Sequence, residues 1–104
     1  MRERVEEQYE GEDLCGRSFA EDTLIRCVFR SCRLDGADFT DAQTRGCLFE
    51  NCTFRLARLN GTEHRRTAFL SCTLTDADLF GALLEDCKCT GSSFSGANLA
   101  GFNI

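Results

Sequence analysis

From Leu14 onward, a large side chain recurs at every fifth position: Leu14, Phe19, Leu24, Phe29, Leu34, Phe39, Thr44, Phe49, Phe54, Leu59, His64, Phe69, Leu74, Leu79, Leu84, Cys89, Phe94, Leu99 and Ile104. Only Thr44, His64 and Cys89 break the apolar rule. Two places before each large residue from Phe29 to Leu99 stands a small one: Cys27, Cys32, Ala37, Ala42, Cys47, Cys52, Ala57, Thr62, Thr67, Cys72, Ala77, Ala82, Cys87, Ser92 and Ala97. A period of five fits neither the 3.6-residue turn of a helix nor the two-residue alternation of a strand. It is an internal repeat, and it governs the reading of everything else.

Ala37-Asp38-Phe39, Ala77-Asp78-Leu79 and Ala97-Asn98-Leu99 show the repeat most plainly. In these segments the chain resembles the pentapeptide-repeat proteins, whose consensus is A(D/N)LXX, and the likeness runs from about Tyr9 to Ile104. The resemblance implies an all-β fold, a right-handed quadrilateral β-helix of about five coils, with four pentapeptides to a coil. Such coils stack at the inter-strand distance of about 4.8 Å. Because no coil covers its own apolar side chains, stability comes from its neighbours. Residue n then lies over residue n+20, which predicts columns such as Phe29, Phe49, Phe69, Cys89 and Leu34, Phe54, Leu74, Phe94.

Composition adds detail. The 104 residues hold a single domain, with no proline and nine glycines, and the glycines all fall at the expected corners, where they relieve tight turns. Residues 1–10 read as an N-terminal acidic cap or arm, a helical turn among the options, and 11–104 as the β-helix. The net charge is −5, and most of it lies before Leu14, where six acids face two arginines. The body is close to neutral. Arg26, Arg45, Arg65 and Arg66 are expected to gather on one side, and Asp38, Asp78 and Asn98 to share a column that Arg58 interrupts.

The eight cysteines invite a metal reading through Cys27, Cys32, Cys47 and Cys52, or through Cys87-Lys88-Cys89. Neither set has zinc-ribbon spacing. Six of the eight sit on the small register, where cysteine acts as a compact hydrophobe, so they read as filling. Buried reduced thiols suggest a cytoplasmic protein. Cys15 alone falls at an outward corner. His64, the sole histidine, reads with Thr44, Thr62 and Thr67 as a polar weak spot. A bulge there would turn the neighbouring arginines toward an anion.

No catalytic motif, cofactor site or metal site emerges, and a regular solenoid offers no deep pocket. The chain therefore reads as a non-enzymatic protein-interaction module with an unidentified protein partner. Its candidate surface is Val28, Leu48, Ala68 and Leu70 together with the four arginines, and Leu56, Phe80 and Leu83 are further exposed apolar positions. The resemblance implies an alternative, since some relatives mimic DNA, bind type II topoisomerases such as gyrase and give fluoroquinolone tolerance. Direct nucleic-acid binding fits an acidic chain poorly, and no apolar run is long enough for a membrane span. Phe94, Leu99, Phe102 and Ile104 in the final coil are the expected interface of a homodimer.

Overall fold

The computed structural model describes residues 2–104. Nine three-residue strands carry the regular pairing: β1 Glu3–Val5, β2 Gln8–Glu10, β3 Thr23–Ile25, β4 Val28–Arg30, β5 Gln43–Arg45, β6 Leu48–Glu50, β7 Glu63–Arg65, β8 Ala68–Leu70 and β9 Leu83–Glu85. They form two parallel sheets, ordered β1-β3-β5-β7-β9 and β2-β4-β6-β8. Every partner lies twenty residues away, as in Phe29↔Phe49↔Phe69. Single parallel bridges in the same register, Arg33↔Thr53↔Thr73 and Asp38↔Arg58↔Asp78↔Asn98, build the other two faces. The fold is a four-faced β-solenoid. No helix occurs among the described residues, so none is long and apolar enough to cross a membrane.

The corners explain why the period is five. Twenty consecutive corner residues, from Glu6 to Gly101 in steps of five, all have positive φ. Nine are glycine; the other eleven lie between 50° and 63°. Two corner types alternate in pairs. After the two bridge faces, a backbone bond closes each corner, as in Ala37 N–H to Leu34 C=O at 3.1 Å and Ala42 N–H to Phe39 C=O at 2.9 Å. With positive φ at the third residue, these are type II turns. After the two strand faces the corners lack this bond, except at Gly91, where Ser92 N–H reaches Cys89 C=O at 3.2 Å.

That distinction sorts the small register. Behind the bonded turns stand mainly alanines (Ala37, Ala42, Ala57, Ala77, Ala82, Ala97). Behind the corners that follow the strand faces, from Cys27 on, every small residue carries a hydroxyl or thiol: Cys27, Cys32, Cys47, Cys52, Thr67, Cys72, Cys87 and Ser92. Each reaches a backbone carbonyl. Cys52 Sγ lies 3.2 Å from Phe29 C=O and 3.4 Å from Glu50 C=O, and Ser92 Oγ donates to Phe69 C=O at 2.7 Å. The thiol is a weak donor, but it fills alanine-sized space and gives these carbonyls an additional partner.

The interior is one continuous column from Leu14 to Leu84. Aromatic rings stack at the coil spacing: Tyr9 on Phe29 at 4.6 Å, Phe29 on Phe49 at 4.8 Å and Phe49 on Phe69 at 5.0 Å, all within 14° of parallel. The acidic start of the chain departs from expectation. Residues 3–10 form no helical turn; β1 and β2 pair with β3 and β4 as part of a first coil. Coils stack only if the backbone register is kept, and this segment keeps it with Arg4 and Tyr9 on the large positions.

Leu56 is the corner that fits worst. It holds φ at 59° with its side chain 69 % exposed. An L-residue in this region is strained by about 1–2 kcal/mol, against which glycine carries an entropic penalty of about 0.5–1 kcal/mol. Leu56→Gly should therefore raise unfolding free energy by roughly 1 kcal/mol, seen as a higher denaturant midpoint at unchanged slope. A lower midpoint would mean that the leucine side chain contributes contacts its exposure hides.

Candidate functional site

The outward residues form vertical columns, and two of them meet at one edge of the solenoid. On the face of β4, β6 and β8, Val28, Leu48 and Ala68 stand in register, each partly buried. Leu70 ends a second column on that face, after Arg30 and Glu50. Across the open corner, Arg26, Gly46 and Arg66 occupy successive levels of the corner itself, and Ile25, Arg45 and Arg65 the column beside it. The expected arginine cluster is thus two adjacent columns.

Its four charges are not equivalent. Arg65 pairs with Glu63 at 3.0 Å and Glu85 at 3.3 Å, and Arg26 with Glu6 at 3.2 Å. Arg45 and Arg66 have no carboxylate within ion-pair distance among the described residues. A shallow depression is lined by Ile25, Arg26, Arg45, Gly46 and Arg66. On the opposite edge of the same face, a second depression holds Glu10, Arg30, Ser31, Glu50, Asn51 and Ser71. There Arg30 is paired with Glu50 at 3.1 Å, so that lining carries its own compensation. Of the other apolar candidates, Phe80 is exposed and Leu83 is partly covered.

His64 lies inside, not on the edge. Its level keeps perfect register, Thr44↔His64↔Leu84, with no bulge, so the arginines are not displaced by it. His64 Nδ1 is 2.7 Å from Thr44 Oγ1, which is 2.8 Å from Thr67 Oγ1, which lies 3.2 Å from Arg65 C=O. The carbonyl can only accept, and this fixes the direction of the chain. Thr67 donates to Arg65, Thr44 to Thr67, and Nδ1–H to Thr44. Nε2 is left as a bare lone pair with no partner, while the ring edge meets Phe69 at 5.1 Å. Burial holds the imidazole pKa down at about 4. Nothing here supplies a nucleophile, so the histidine acts as a buried neutral strut.

A second interior network lies at the first coil, where sequence reading found only acidity. Arg4 turns inward, donating to Asp22 at 3.0 Å, Glu7 at 3.3 Å and the Tyr9 hydroxyl at 3.2 Å. Tyr9 in turn donates to Glu7, which lowers the Glu7 pKa. The guanidinium lies 4.8 Å over the Phe19 ring. Its signal was present: Arg4 falls on the large register and Asp22 on the small one.

Cysteine chemistry is muted. All eight thiols are free; five are fully buried, and Cys15 is exposed. Burial pushes Cys47 up to about 11. Among the described residues, no three cysteine, histidine or carboxylate side chains are grouped to hold a metal. In the final coil Phe94 and Phe102 are partly buried, while Leu99 is 43 % and Ile104 82 % exposed.

The buried histidine makes stability depend on pH. The unfolded chain takes up a proton near 6.5, whereas the folded one refuses it until about 4. The contribution is complete above 6.5 and is lost progressively as pH falls toward 4, by about 3 kcal/mol in total. His64→Leu keeps the Thr44–Thr67–carbonyl bonds and should abolish that component. Urea unfolding of both proteins at pH 7 and pH 4.5 checks it: equal pH sensitivity would show that His64 titrates normally.

This geometry has counterparts among known proteins. A family model described as the pentapeptide repeat region matches residues 6–79 and 22–104. No curated protein sequence matches the chain. Among solved structures, full-length QnrB1, a plasmid-mediated fluoroquinolone resistance protein, superposes with a TM-score of 0.88 at 20% identity, covering 93% of this chain and 48% of QnrB1. The chain thus spans about half the length of that protein. A pentapeptide repeat protein from the Arabidopsis thaliana thylakoid lumen is 30% identical, with a TM-score of 0.59 over 86% of this chain and 62% of its own. Rfr23 from the cyanobacterium Cyanothece 51142 is 19% identical, with a TM-score of 0.52 over 95% and 84%. With the repeat matched along nearly its whole length, and every corner placed where that repeat demands, the chain belongs to the pentapeptide-repeat family.

Proposed function

We propose that this chain is a non-enzymatic protein-interaction module whose partner docks on the face of β4, β6 and β8 and the arginine edge beside it. The observation that carries this reading is adjacency: the apolar column Val28, Leu48 and Ala68 runs beside the arginine edge, with Arg26 and Arg66 at the corner and Arg45 in the column beyond it. Apolar centre and cationic margin together suit an interface better than either alone. Leu70 extends the apolar area at the C-terminal end of β8, and Arg65, held by two glutamates, frames it. The reading places the protein in the cytoplasm, where its thiols stay reduced.

A second reading, modulation of a type II topoisomerase by mimicry of DNA, draws support from the likeness to QnrB1. Against it stands the charge: a duplex mimic needs acid along its length, whereas the body here is almost neutral and carries an arginine edge. Immobilised wild-type protein and Leu48→Asp, offered the same cell extract, separate the possibilities. A protein retained by the wild type and lost with Leu48→Asp supports the docking face; identical retention by both overturns it. If that protein is gyrase and its supercoiling activity changes on adding the wild type, the second reading holds.

The last coil is proposed to self-associate through Phe94, Leu99, Phe102 and Ile104. They are less covered than their counterparts one coil earlier, Leu74, Leu79, Ala82 and Leu84, which are all buried. Sedimentation at micromolar concentration should show a dimer that Leu99→Asp dissociates. A wild-type monomer under those conditions would remove the proposal.

A further inference from the structure

The arginine edge has a feature that a flat docking surface does not require. Gly46 lies in the corner column midway between Arg26 and Arg66, and its missing side chain leaves a notch. A Cβ there would stand 3.5 Å from Arg26 Cγ, in ordinary contact, so the notch is open space bounded by the arginine stem. Arg45, the preceding residue, borders it on the same level, and Ile25 completes the lining. No carboxylate lines it. In other columns arginines alternate with or meet acids: Arg58 stands between Asp38 and Asp78, Arg33 is near Asp13 and Asp35, and Arg30 meets Glu50, although Arg17, Arg55 and Arg58 are not in ion pairs among the described residues. At Gly46 three guanidiniums border one empty corner, and only Arg26 has a carboxylate partner. That pair, with both side chains more than 60 % exposed, is weak enough to exchange.

We propose that the Gly46 notch is an oxyanion site for a phosphate group, held by Arg26, Arg45 and Arg66. Guanidinium forks bind phosphate and carboxylate through paired N–H···O contacts. Arg26 and Arg66 are two coil steps apart, roughly 9–10 Å between backbones, and their side chains are long enough to close on one group between them. Arg45, on the level of Gly46 itself, lines the same depression. Three guanidiniums around one notch can serve more than two oxygens at once, which suits phosphate better than the two coplanar oxygens of a carboxylate. The Gly46 N–H is already bonded to Arg65 C=O at 2.9 Å, so the recognition comes from side chains. The group is either free phosphate or a phosphoryl group carried on a larger ligand. The site stands independently of the partner reading, since it is probed by small anions alone.

The test is a titration of the full chain, followed by amide NMR shifts, with inorganic phosphate, phosphoserine and acetate at constant ionic strength. Phosphate or phosphoserine should shift the amides of residues 25, 26, 45, 46 and 66, with acetate at least about tenfold weaker. Tighter binding of phosphoserine assigns a carried phosphoryl group, and tighter binding of phosphate assigns the free ion. Arg45→Gln with Arg66→Gln should weaken binding by about tenfold or more. Gly46→Asn, which keeps all three charges and suits positive φ as Asn51 does, should also weaken it by filling the notch. Arg55→Gln with Arg58→Gln should leave it unchanged. Shifts spread over all arginines, equal responses to acetate, or full binding by Gly46→Asn would overturn the proposal.

Discussion

The left-handed corner at every fifth residue is the constraint on which this molecule rests. Each corner turns the chain through one side of a square, so the inward residue two places before it and the one two places before that always face the axis. Without twenty such corners in succession, the phenylalanine stacks would lose their register and the ladder bonds their partners. The local strain is accepted eleven times by residues other than glycine. Many are Asp, Asn or Ser, short polar side chains that suit this region. The cooperative stacking of neighbouring coils outweighs that strain, as expected where no coil is stable by itself.

The same geometry tolerates polar residues inside, provided they complete a chain of bonds. Burying an unpaired polar group costs more than the gain from any one hydrogen bond. At the Thr44–His64 level that cost is met by running donors in one direction to a backbone carbonyl, leaving a single lone pair on Nε2 unsatisfied. At the first level Arg4 is surrounded by Asp22, Glu7, Tyr9 and the face of Phe19. A buried ion pair of this kind is weak evidence of net stability, yet removing one partner alone is strongly destabilising. Its evident effect is to set a charged layer within the first coil, at one end of the aromatic column.

The period made most of the fold legible. Phe49 over Phe69, the glycine corners and the Asp38–Arg58–Asp78–Asn98 column all follow from adding twenty to a residue number. What stayed hidden depended on distinctions that the period does not make. Arg4 and Asp22 occupy register positions, but their charge hid them among the acidic residues around them. The split between alanine and cysteine follows the two corner types, which differ by one backbone hydrogen bond and share the same spacing. The arginines are legible as a group, but which of them are already paired is decided by neighbours twenty residues away.

Function in such a shaft has to lie in its outward columns, because the inward ones are committed to packing. A column is built from residues twenty apart in sequence, so a surface feature needs coordinated choices at distant positions. A lone Leu56 or Phe80 therefore argues little, since single exposed apolar residues are common on any protein. The Arg26–Gly46–Arg66 corner beside Val28–Leu48–Ala68 argues more. It needs three consecutive coils to agree in two adjacent columns, and it leaves two charges without the ion pairs that compensate Arg4, Arg30 and Arg33. Neither packing nor corner geometry calls for that arrangement, since Gln43, Thr23 or Ser31 would serve equally well on an outward position. A surface that folding does not explain is where a ligand is to be sought.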